Sequence, residues 1–108
     1  MIASSRLQFT FQACADLNGI WETIAMPDDR FGSTNTEHLN AASSFVDQFE
    51  QVCQLLTLHS ELGLPRHELQ DGIRSLLFQR YVVFYRTRGN CVEILRIIRA
   101  AREIDAVV

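Results

Sequence analysis

Gly72-Ile73-Arg74-Ser75-Leu76-Leu77-Phe78-Gln79-Arg80-Tyr81-Val82-Val83-Phe84-Tyr85-Arg86, and after a short turn Val92-Glu93-Ile94-Leu95-Arg96-Ile97-Ile98-Arg99, read as consecutive β-strands. Val, Ile, Tyr and Phe dominate these runs, types that fit a pleated surface, and Gly89-Asn90 suits a two-residue hairpin turn. Strands are expected at roughly 73–78, 80–87 and 91–98. A two-residue turn sets Arg88 opposite Cys91 and Arg86 opposite Glu93. Strict alternation then places Tyr81, Val83, Tyr85, Val92, Ile94, Arg96 and Ile98 on one face. Arg80, Val82, Phe84, Arg86, Cys91, Glu93, Leu95 and Ile97 take the other. Both faces are largely apolar, and one covering layer buries only one of them. The second face is expected to meet a partner, unless the C-terminal tail from Ala100 to Val108 folds over it.

Upstream of the strands the period changes. Arg6-Leu7-Gln8-Phe9 alternates like a short first strand, and Thr10 can cap a helix with its hydroxyl. Ala13, Leu17, Ile20, Trp21 and Ile24 follow at helical spacing. Met26-Pro27-Asp28-Asp29 ends that helix, because proline disfavours helical geometry in the residue before it. After a polar loop, Asn35 or Thr36 caps a second helix with Phe45, Phe49, Val52, Cys53 and Leu56 on one apolar face. It is expected to stop near His59, before Gly63-Leu64-Pro65. The fold class read from this order is α+β: a short N-terminal strand and a helical hairpin packed on a small antiparallel sheet, β-α-α-β-β-β.

A chain of 108 residues fits a single domain over 1–108. Its 47% hydrophobic and 21% charged content matches a folded chain and excludes a disordered one. No apolar run is long enough for a membrane span, and no secretory signal stands at Met1. Three scattered cysteines, Cys14, Cys53 and Cys91, exclude a disulfide framework and favour a reducing compartment, the cytoplasm.

Charge is unevenly spread. Residues 1–64 carry two Arg against eight acids, and residues 65–108 carry eight Arg against five acids, with no Lys anywhere. Arginine is planar and bidentate, suited to carboxylate or phosphate. Arg74, Arg80, Arg86, Arg96, Arg99 and Arg102, with Tyr81 and Tyr85, are therefore the candidate partner-binding residues. Cross-strand pairing of Arg86 with Glu93, and of Arg99 or Arg102 with Glu103 or Asp105, is the purely structural alternative. His38, His59 and His67 lack metal-ligand spacing. No phosphate loop or nucleophile elbow appears, and Ser75 and the cysteines have no base partner, so no catalytic, cofactor or metal residue is assigned.

The ordered set of residues resembles the ParE branch of the RelE/ParE toxin superfamily, from type II toxin–antitoxin modules. It comprises Ala15-Asp16-Leu17, Ile20-Trp21 and Ile24-Ala25 on the first helix, then Ala41-Ala42 with Phe45 on the second. His59-Ser60-Glu61-Leu62-Gly63 and Gly72-Ile73-Arg74-Ser75 follow. Arg80-Tyr81-Val82-Val83-Phe84-Tyr85-Arg86, Val92-Glu93-Ile94-Leu95-Arg96 and Ala101-Arg102-Glu103 complete it.

The resemblance implies a toxin without a cofactor that inhibits DNA gyrase by protein–protein binding. It also implies a hetero-oligomer with a cognate antitoxin, whose acidic C-terminal segment neutralises the toxin. Contact with DNA is expected only indirectly, through the antitoxin. The RelE branch instead cuts mRNA on the ribosome, and its ribonucleases usually carry an Arg where Val82 stands. They carry basic residues near Ile73 and Ser75, a further Arg near Ala100, and often a Tyr near Ala106. Such groups activate the 2′-hydroxyl and stabilise charge on the phosphate. Their replacement favours gyrase inhibition over a ribosome-dependent endonuclease. A degenerate, non-toxic antitoxin-binding module is the other alternative. Two features depart from the ParE pattern: Arg99-Ala100-Ala101-Arg102-Glu103 replaces a His-Gly-Ala-Arg-Asp run, and the loop from Pro27 to Glu37 is longer.

Overall fold

The computed structural model describes residues 6–26 and 35–101. The elements run β1 (Leu7–Phe9), α1 (Phe11–Ala25), α2 (Asn35–Leu58), a short 3-10 turn (Ser60–Leu62), β2 (Leu64–Pro65), β3 (Arg74–Phe78), β4 (Tyr81–Arg88) and β5 (Cys91–Arg99). The α+β reading holds, and the expected strand limits are met to within a residue. Two strand pairings differ from expectation. β1 lies parallel to β5, so the sheet is mixed, with order β1-β5-β4-β3-β2. β2 has only two residues, paired with Arg74 and Ser75, too few to show an alternating pattern.

Local chemistry explains the boundaries. Thr10 caps α1 by accepting from the Ala13 amide at 3.0 Å, while its own hydroxyl donates to Leu95 O at 2.8 Å. The cap therefore also ties α1 to the last strand. α2 runs from Asn35, at the edge of the described residues, and the cap expected there lies outside them. The β3–β4 hairpin turns on Gln79 and Arg80, with Gln79 at φ 55°, and the β4–β5 hairpin turns on Gly89 at φ 60°. Positive φ is what two-residue turns need to match the strand twist. Gln79 is steadied by its amide, which donates to Gln48 of α2 at 2.9 Å.

Both helices cover one face of the sheet. Ala13 and Ile20 of α1 and Phe45, Phe49, Cys53 and Leu56 of α2 pack on Phe78, Val83, Tyr85, Val92, Ile94 and Ile97. The apolar α2 face read from the sequence is this contact. Phe45 and Phe78 sit 5.2 Å apart, and Phe49 and Phe78 5.7 Å, in tilted geometry. Each fully buried side chain of this size contributes about 1.5–3 kcal/mol. Burial pushes the Cys53 thiol up to about 12, helped by the nearby Glu50, which keeps it a neutral core residue.

The β4–β5 pairing begins as expected, Arg88 with Cys91 and Arg86 with Glu93. It then shifts. Tyr85 pairs with Ile94 but Phe84 pairs with Arg96, leaving Leu95 as the extra residue of a β-bulge. The bulge reverses the alternation of β5 beyond it. Ile97 therefore faces the helices, buried to 3% exposure, and Arg96 and Ile98 join Val82 and Phe84 on the opposite face. The strict-alternation assignment of Arg96, Ile98 and Ile97 is thus corrected.

Candidate functional site

β1 stops pairing at Ile94, five residues before β5 ends. Beside the rest of that edge runs α1. Asp16 reaches from it and accepts from the Ile97 amide at 3.0 Å, filling the place a neighbouring strand's carbonyl would take. The same carboxylate receives two bonds from Arg96, at 2.8 and 3.2 Å. The bond to Asp16 raises the Arg96 pKa further and holds the guanidinium in a fixed position.

The space between α1 and this edge is a groove of about 830 Å³. Ala15, Asp16, Gly19, Ile20 and Thr23 form the α1 wall, and Leu95 to Arg99 form the β5 wall. The groove continues over the sheet to Tyr81, Phe84, Ile73, Leu69 and Arg66. Arg66, in the turn before β3, stacks over the Phe84 ring at 5.4 Å and donates to Ser75 Oγ at 3.1 Å. It also bonds Glu68, whose carboxyl is held below the ordinary range chiefly by that hydrogen bond. Phe84, beneath Arg66, is buried, as is Val82, and the sheet face opposite the helices is narrower than the sequence implied. Leu69 and Leu77 remain exposed there, at 53% and 67%. Whether the C-terminal tail covers this face lies outside the described residues.

The structure separates the arginines predicted from sequence into classes. Arg96, Arg99 and Tyr81 line the groove. Arg80 sits exposed at the β3–β4 turn, and its carbonyl accepts from the Ala100 amide at 2.8 Å. Neither Arg80 nor Arg99 forms an ion pair among the described residues. Arg86 is spent on Glu93 at 2.8 Å, the cross-strand pair expected from register. Arg74 donates to Gly63 O at 2.7 Å and braces the chain entering β2. Arg102, with Glu103 and Asp105, lies outside the described residues.

Tyr85 is corrected outright. It is 0% exposed, beneath the helices, so it offers no partner surface. Its hydroxyl donates to Ser60 O at 2.7 Å and accepts from the Gly63 amide at 2.8 Å. Burial raises its pKa.

Sequence reasoning missed Asp16, Gly19, Thr23, Arg66, Leu69 and Ile73 as groove residues. Asp16 and Arg96 are 80 positions apart, and no local pattern links them. The groove has an apolar floor and a rim with Arg66, Arg96 and Arg99, while Asp16, on its wall, is already engaged. That arrangement suits an amphipathic segment bearing carboxylates.

Comparison with known proteins bears on the family and the fold. The family model described as ParE toxin of type II toxin-antitoxin system, parDE, matches residues 7–104. Toxin ParE1 of Caulobacter vibrioides is 27% identical over 95 residues, covering 88% of each chain. A solved chain from the chromosomal ParDE TA system of P. aeruginosa superposes with a TM-score of 0.58 at 25% identity. That match covers 86% of this chain and 92% of the other. A family match over nearly the whole length, on a fold with the same layers, shows that this chain belongs to the ParE toxin family of type II toxin–antitoxin systems.

Proposed function

We propose that this ParE-family toxin inhibits DNA gyrase by protein–protein binding and is neutralised by a cognate antitoxin. ParE toxins act by protein binding rather than by catalysis, and this chain is a toxin of that kind. An acidic, amphipathic antitoxin segment would occupy the α1–β5 groove, the two proteins forming a hetero-oligomer in the cytoplasm. The groove itself carries this reading: an apolar floor between helix and strand, rimmed by arginines, with its own Asp16 already committed. The groove-lining candidates are Tyr81, Arg96 and Arg99, with Arg80 at the neighbouring turn. Contact with DNA would run through the antitoxin, since the chain's net charge of −3 opposes a direct hold on the duplex.

A supercoiling assay tests the function. Purified toxin added to gyrase and relaxed plasmid is expected to block supercoiling, and equimolar antitoxin to restore it. Undiminished supercoiling at saturating toxin would overturn the gyrase assignment, and codon-specific mRNA cuts on translating ribosomes would replace it with the endonuclease reading.

A further inference from the structure

Three of the described glycines have reasons inside the chain. Gly72 and Gly89 adopt φ of 91° and 60°, which side chains resist. A Cβ on Gly63 would lie 2.6 Å from Tyr85 Oη and 2.9 Å from Ser75 O. Gly19 has neither reason. It sits in the middle of α1 with no positive φ, and a Cβ built there meets nothing within 4 Å. Glycine inside a helix weakens it relative to alanine, because the unfolded chain loses more freedom on ordering. The chain therefore carries a helix-weakening residue that its own packing does not require.

Gly19 opens on the groove. Ala15 and Thr23 flank it one turn away on the same wall. The Thr23 hydroxyl is turned back to Gly19 O at 2.9 Å, so the Thr23 side chain keeps close to the helix. Across the groove stands the β5 edge with Arg99, and just before Gly19 the Asp16 carboxylate ties the Arg96 guanidinium and the Ile97 amide of β5 to the α1 wall. The wall is therefore bare at Gly19, and the exposed Arg99 leaves positive charge on the β5 side.

We propose that Gly19 is the point of closest approach for the antitoxin, where a carboxylate-bearing segment lies against the bare α1 backbone. This rests on the antitoxin reading of the groove, and it adds the residue that sets the fit. A side chain at 19 would stand in the space the partner fills, so it would spare the fold and injure the complex.

The test uses the full toxin and full antitoxin, with affinity by calorimetry and stability by thermal melting. Gly19→Ala is expected to raise the Tm by about 2–6 °C while weakening antitoxin binding by about tenfold. Gly19→Leu is expected to weaken it by about a hundredfold or more, with a melt no lower than wild type by more than a few degrees. If both variants bind within twofold of wild type, the assignment of Gly19 is overturned while the antitoxin reading stands. If wild-type toxin does not bind the antitoxin, both are overturned. If Gly19→Leu fails to fold, the Gly19→Ala comparison decides alone.

Discussion

Tyr85 shows how one side chain can organise a junction. Its phenol is the shared partner of Ser60 O and the Gly63 amide, and it fastens the end of the α2 region onto the centre of the sheet. Tyr85→Phe leaves those two backbone groups unpaired and is expected to cost about 1–3 kcal/mol by urea denaturation. Gly63→Ala is expected to be similarly harmful, since its methyl would collide with the same hydroxyl. The pH dependence follows from burial, which raises the folded-state pKa of Tyr85 above its ordinary value of 10.0. The contribution is intact below the unfolded value and falls as pH rises through it towards the folded one. Urea midpoints measured from about pH 8 to about pH 11 should therefore fall more steeply for wild type than for Tyr85→Phe. From sequence, Tyr85 belongs on the face with Val83, and that is correct. What alternation cannot tell is which face the helices take, and here they take this one.

Elements were legible where the pattern is local. The α2 stripe, the Thr10 cap, the Gly89-Asn90 turn and the Arg86–Glu93 register each depend on residues close in sequence or on a known hairpin geometry. The bulge at Leu95 is not local, because it exists only in the mismatch between two strands. Its consequence is large: it sends Ile97 into the core and turns Arg96 to the other face. The edge of β5 beyond β1 then needs an acceptor, and Asp16 of α1 supplies it. Asp16→Ala is expected to lose about 1–3 kcal/mol and to speed amide exchange at Ile97. Asp16→Asn keeps a carbonyl for that amide, so it should lose less stability and protect Ile97 better. Equal losses for the two variants would show that the carboxylate's role is its charge on Arg96 alone.

Across the whole molecule, the excess of arginine in the second half divides into structural and available charge. Arg74, Arg86 and Arg96 hold the fold through Gly63, Glu93 and Asp16, whereas Arg99 stands exposed at the groove without an ion pair among the described residues. Arg99→Glu is expected to leave stability within about 0.5 kcal/mol, yet to weaken antitoxin binding by about tenfold and reduce its salt sensitivity. Arg96→Glu, by contrast, places two carboxylates together and should lower stability as well as binding. Composition revealed that the second half was basic, but only the pairing in three dimensions distinguishes an arginine that braces from one that waits. Binding of the antitoxin in the groove between α1 and β5 is tested most directly by amide hydrogen exchange of the toxin with and without its antitoxin. Strong added protection is expected over residues 15–23 and 95–99 in the complex. Protection confined to other surfaces, with those two segments unchanged, would contradict it.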